Sequence, residues 1–185
     1  MQQRFDSELN SFVQSHGSKG LDASMLLIPR VRFPPPVPPH ALGTVDGIQR
    51  NLTQDGFVLR YKPERSNDGL PGGEGVFLAC SFWLVDAILG AGRSTEATEL
   101  VERLLALRND LGLLSEEWDG QAAWQLGNTP KAFSHFALIS SAFGLQHVSP
   151  CAEVTKHASY PAFSGANFGV PIVCRQACLT LAMRG

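Results

Sequence analysis

The chain lacks any apolar run long enough to span a membrane, and its first twenty residues are polar, without the apolar segment of a secretory leader. A soluble, cytoplasmic protein is therefore expected. It also lacks a basic excess. The net charge is -2, so no lysine–arginine stripe offers a footprint for nucleic acid. Cysteine is scarce: Cys80, Cys151, Cys174 and Cys178 show no metal-ligand spacing, and Cys80 lies in an apolar stretch as a small buried hydrophobe. No metal and no cofactor is expected. The helical stretches show no self-similarity, which excludes a helical-repeat scaffold. What is present is a composition 44% hydrophobic and 17% charged over 185 residues, suited to one globular domain with a sizeable core.

Apolar periodicity predicts about six helices. The first spans residues 3–15, with Phe5, Leu9, Phe12 and Val13 on one face. The second, 21–28, is apolar nearly all round and ends at Pro29. The prolines of 34–39 form a stiff connector. The third, about 41–53, carries a stripe of Val45, Ile48 and Leu52, turns Asp46, Gln49 and Arg50 outward, and stops at Asp55-Gly56. Residues 57–61 read as extended. The fourth, 76–89, is apolar on every side. The fifth runs to Arg108 with Ser94 as its cap, and turns Ala97, Leu100, Val101, Leu104 and Leu105 inward. The sixth covers about 130–143, with Thr129 as cap and Pro130 at its first position. Amphipathic helices thus alternate with all-apolar ones. Concentric layers require this pattern: inner helices covered by neighbours, outer ones wet on one face.

Two loops of about twenty residues enter the fourth and sixth helices, and loops of that length in a compact domain usually carry function. In a layered toroid the loops at 14–19, 60–75 and 111–129 line one rim. That would bring together Arg60, Tyr61, Glu74, Glu116, Glu117, Trp118 and Asp119. Adjacent acids beside an aromatic ring are what a sugar-cleaving site needs: a carboxylate to activate water or bind hydroxyls, and a ring to cover an apolar sugar face.

Several segments in order resemble glycoside hydrolase family 15, the glucoamylase and trehalase-like enzymes, in the C-terminal part of their catalytic domain. The resemblance is carried by Phe12-Val-Gln-Ser-His-Gly17, Thr44-Val-Asp-Gly-Ile-Gln49, Arg60-Tyr61, Gly69-Leu-Pro-Gly-Gly-Glu-Gly75, Ser115-Glu-Glu-Trp-Asp119 and Gln125-Leu-Gly-Asn-Thr-Pro-Lys131. It covers residues 1–143. The tail, 144–185, is unlike the family and has no assigned role. The resemblance implies an all-α fold, an incomplete (α/α)6 toroid of about six helices, outer amphipathic and inner apolar. It implies inverting hydrolysis of α-glucosidic bonds, with an α-glucoside or trehalose-like sugar as partner. Glu116 matches the general base. Arg60 matches the arginine that holds sugar hydroxyls, and its alternative is an ion pair with a loop acid. Glu117 either tunes its neighbour and binds a hydroxyl or is a surface acid. Tyr61 and Trp118 either face the sugar or plug the rim, and Trp118 stands where the family has tyrosine. Glu74 either binds substrate or caps the fourth helix. His135 reads as a packed core histidine. The family's general acid lies earlier in the domain, outside this sequence, so the chain alone should hydrolyse little and a complementary chain would carry the missing half. The alternative is an inactive remnant that binds sugar or a partner through an open apolar inner face.

Overall fold

A computed structural model of the protein describes residues 5–31, 38–62 and 75–148. Its centre is a helix, α3 (Leu78–Gly90), in which Leu78, Ala79, Cys80, Phe82, Val85 and Ile88 are fully buried. With no charged residue before Asp86, the helix is suited to burial, and neighbours cover most of it, leaving Trp83, Asp86 and Ala87 half-buried along one side. Each large side chain so buried contributes about 1.5–3 kcal/mol against its exposed state. The helices α4 (Ser94–Leu105) and α5 (Ala132–Val148) pack on it, with the 3-10 turn Ala23–Leu27 and α2 (Pro38–Leu52). The stripe expected on the third helix is real: Val45, Ile48 and Leu52 of α2 are buried, as are Ala97, Leu100, Val101 and Leu104 of α4. The outer faces are joined by Arg93, which bonds Asp46 and Gln49 of α2 and Glu96 of α4.

The chain is helix-rich, but the expectation of helices alone requires correction. Three small antiparallel sheets lie among the described residues. The predicted first helix is a hairpin of β1 (Phe5–Asp6) and β2 (Ser11–Phe12). Asp6 Oδ1 accepts from the backbone N–H groups of Glu8 and Leu9, and Asn10 takes φ 49°. A short acid that satisfies nearby amides competes with helix formation, and here it turns the chain. Phe5 then stacks on His40 of α2, ring centroids 3.9 Å apart. The apolar spacing at 5, 9, 12 and 13 reported burial, not helix.

The second helix begins later than expected. Asp22 caps a 3-10 turn, Ala23–Leu27, through Ser24 N–H at 2.8 Å, and α1 (Ile28–Val31) follows. Pro29 sits in the first turn of α1 rather than ending a helix, a position where its missing N–H costs nothing. Pro38 and Pro39 likewise open α2. The rest of the proline connector, 32–37, lies outside the described residues. Asp55 (φ 52°) and Gly56 (φ 84°) form the two-residue turn of a second hairpin, β3 (Thr53–Gln54) and β4 (Phe57–Val58). Ser94 is the first residue of α4, not its cap; Arg93 holds that place and makes no side-chain cap bond. Pro130 precedes α5 by two residues, after a cis peptide bond. α5 continues unbroken past residue 143 to Val148. No helix among the described residues is long and apolar enough to cross a membrane.

The third sheet positions the acids. β5 (Val76–Phe77), β6 (Glu117–Asp119) and β7 (Trp124–Leu126) run antiparallel, with Phe77 opposite Glu117 and Glu117 opposite Leu126. The long loop from 111 to 129 is therefore largely a hairpin, laid against the strand that leads into α3.

Candidate active site

Glu116 is fixed by its backbone before its side chain is considered. Its carbonyl accepts from Leu78 N–H, the first residue of α3, and its N–H donates to Asn128 O, both at 3.0 Å. The neighbours are pinned as well. Ser115 is fully buried; its hydroxyl donates to Glu117 O at 2.6 Å, and its carbonyl accepts from the buried Ser134 of α5 at 2.7 Å. Gln125 Nε2 ties the approaching loop by donating to Leu107 O and Leu113 O. Short hydroxyl and amide side chains recur here because each closes a backbone valence in a hairpin that has no helix to do so.

The carboxylate itself is held from two sides. Lys131 Nζ donates to Oε1 at 2.7 Å, and Asn128 Nδ2 donates to Oε2 at 2.8 Å. Gly127 (φ 71°) passes so close that a Cβ there would lie 3.0 Å from Glu116 Cβ. The Lys131 ammonium, followed by the N–H donors of Asn128, holds the Glu116 carboxyl below the ordinary glutamate range despite some burial. The group is ionised at neutral pH, half-buried, and still open to solvent.

Glu117 turns elsewhere: its Oε2 accepts from Gly75 N–H at 3.1 Å, so the last residue of the earlier long loop meets the later one. Arg60 is half exposed, and its Nε lies 3.9 Å from Asp22 Oδ2, a long ion pair of the kind weighed from sequence. Val58 N–H, two residues before Arg60, donates to Ser81 Oγ in the first turn of α3 at 2.8 Å. The backbones of Val58 and Glu116 thus both reach the first turn of α3. Tyr61 lines a shallow pocket with Leu9, Gln14, Lys19 and Asn51, so the 14–19 and 60–62 segments meet. Trp118 is half-buried against the core, opposite Val76 and Gln125, which favours a ring that closes the rim. Glu74 lies outside the described residues. His135 is not the packed core histidine expected: it is half-buried, its Nε2 3.4 Å from Leu114 N–H and its Nδ1 2.8 Å from Lys131 O. No group of metal-ligating side chains occurs among the described residues.

Sequence reading missed Lys131 and Asn128 as partners of Glu116. It also missed an aromatic group beside them: Phe133 lies against Phe77 and Trp83, with centroids 6.1 and 5.7 Å away. A signal existed for Lys131, a cation at the start of a helix, where the backbone dipole disfavours positive charge.

The family described as glycosyl hydrolases family 15 has a sequence model that matches residues 1–143. A trehalase of Mycobacterium tuberculosis is 46% identical over 130 residues, which is 70% of this chain and 19% of that protein. A trehalase of Thermoplasma volcanium is 40% identical over 139 residues, 75% of this chain and 22% of that protein. The chain therefore spans about a fifth of the length of these relatives. Among solved structures, a glycosidase variant in complex with glucose superposes with TM-score 0.61 at 23% identity, over 74% of this chain and 39% of that one. At that identity the likeness is one of fold.

Proposed function

Because the chain belongs to glycosyl hydrolases family 15, we propose that it is the base-bearing part of an inverting α-glucosidase acting on trehalose or a similar α-glucoside. Its helices form about half of an (α/α)6 toroid: residues 1–143 are the family unit, and 144–185 are a tail without an assigned role. One observation carries the reading. Glu116 presents an ionised carboxylate held by Lys131 and Asn128 with one edge open to solvent. An inverting base must take a proton from water as that water attacks the anomeric carbon, and only an ionised carboxylate can do so. In such enzymes the acid and base carboxyls stand roughly 6.5–9.5 Å apart, which leaves room for the water.

Arg60 binds sugar hydroxyls. Its pairing with Asp22 is long and exposed, so the guanidinium is available to a ligand at small cost. Glu117 holds the two long loops together, and Tyr61 and Trp118 border the mouth. Glu74 is a further hydroxyl ligand. The proton donor to the leaving oxygen comes from a complementary segment, so the chain alone hydrolyses little trehalose. The setting is a reducing cytoplasm, in keeping with Cys80 as a buried free thiol. The test is stereochemical. Proton NMR of the first glucose released, with the complementary segment supplied, should show the inverted β-anomer at the attacked carbon. Retention of configuration, or family-like hydrolysis by the isolated chain, would contradict the reading.

A second reading is favoured by one feature. Phe133, Phe136, Ile139 and Phe143 of α5 are exposed as a stripe. In that reading the chain is an inactive remnant that associates through this apolar face. Sedimentation separates the two: a clean monomer at high concentration counts against the second.

A further inference from the structure

Lys131 stands immediately before α5, where a positive charge opposes the helix dipole, and its backbone N–H is tied to Leu114 O at 3.0 Å. Helix stability therefore does not account for a lysine here. Its ammonium reaches Glu116 Oε1 on one side of the carboxylate, while Asn128 occupies Oε2 on the other. Two donors on two oxygens fix both the plane and the rotation of a carboxylate, which one donor cannot do.

We propose that Lys131 is a positioning residue for Glu116: with Asn128 it clamps the carboxylate in one orientation, so that the remaining lone pairs face the attacking water. This rests on the reading of Glu116 as the general base. The clamp is preorganised by the chain itself. Leu114 O holds the lysine backbone, Asn128 O holds the Glu116 backbone, and Gly127 leaves the space the carboxylate fills. Preorganised donors act without reorganisation at the moment of reaction.

Other titratable groups face away or are engaged. Glu117 is bound to Gly75 N–H, Asp119 accepts from Gln121 and Ala122 N–H, and His135 contacts the Leu114 and Lys131 backbones. The strand β5 and the first two turns of α3 carry no charge before Asp86, and β7 carries none. Lys131 is thus the one cation on the elements packed against Glu116 among the described residues.

The test follows the Glu116 carboxyl carbon by NMR over pH 3–8 in the full chain, assigned by its loss in Glu116→Gln. In the wild type the midpoint should lie below the ordinary glutamate range. Lys131→Met should move it upward, and Lys131→Arg should keep it low. Should Lys131→Met not fold, Lys131→Gln removes the same charge while keeping a polar end. An unchanged midpoint in the uncharged variant overturns the proposal. The base reading is judged separately by trehalose hydrolysis, wild type against Glu116→Gln, with the complementary segment supplied. Lost hydrolysis without a midpoint shift sinks the clamp alone, and a midpoint shift with hydrolysis retained sinks the base alone.

Discussion

Two helices, α3 and α5, are apolar nearly all round in sequence, yet they end in different surroundings. Most of α3 is covered: Phe82 is 0% exposed, and only Trp83, Asp86 and Ala87 before its last residue are half-buried. α5 packs one side on α3 and α4 and leaves Phe136 69% exposed. The difference teaches that apolar composition reports the environment a helix is suited to, not the one a given stretch of chain provides. The covered side of α5 is specific. The buried Ser141 hydroxyl donates to Asp86 Oδ1 at 2.7 Å and also lies 3.1 Å from Phe82 O, and Ser140 donates to Asp86 Oδ2 at 3.1 Å. Polar pairs inside an otherwise greasy contact set its register, since a slip would strand them.

The comparison breaks most visibly by truncating one ring in each helix. Phe82→Ala should cost about 3–5 kcal/mol in urea unfolding, whereas Phe136→Ala should stay within about 0.5 kcal/mol. Equal losses would mean that the α5 stripe is covered. The Asp86 link comes next. Asp86→Ala removes the acceptor of two serines and the partner of Arg30, and should cost about 1.5–3 kcal/mol. Burial raises the Asp86 carboxyl above its ordinary value, more than Ser141, Arg30 and Ser140 lower it. A raised folded value means that the folded state binds the proton more tightly. Stability from this group is greatest when it is protonated and falls as pH rises from the unfolded value, about 3.9, to the raised folded one. Asp86→Asn should therefore gain on the wild type across that window; a pH-independent difference would contradict it. A smaller effect is expected at the acid-bearing hairpin. Gly127→Ala places a Cβ at positive φ against Glu116 and should cost about 1–2 kcal/mol, with the Glu116 titration disturbed as well. The smallest stability effect should come from Ile139→Ser on the exposed stripe, read instead as reduced dye binding or self-association.

How much was legible follows from the same contrast. α3 and α4 were readable because their periodicity, or its absence, is decided by packing within this chain. The stripe of Val45, Ile48 and Leu52 on the third helix was readable for the same reason. The hairpin at 5–12 was not readable as such, because burial against His40 gives apolar spacing compatible with a helix, while the deciding contacts are Asp6 to its own backbone. The third sheet was hidden inside a loop because β5 and β6 are two and three residues long and pair across about forty residues of sequence. At the site, Glu116 and Arg60 came from family resemblance. Asn128 came only from coordinates, and the unfavourable charge of Lys131 at a helix start did not say what it pairs with, since nothing in a linear pattern says which side chains a turn such as Gly127 folds back upon an acid.

The central claim is that Glu116 takes the proton from the attacking water. It is tested most directly by trehalose hydrolysis with the complementary part of the catalytic domain supplied from a trehalase relative, wild type against Glu116→Gln. The account predicts a loss of about 10²–10⁴-fold in rate, with the fold and sugar affinity kept. A Glu116→Gln chain that hydrolyses as fast as the wild type would contradict it.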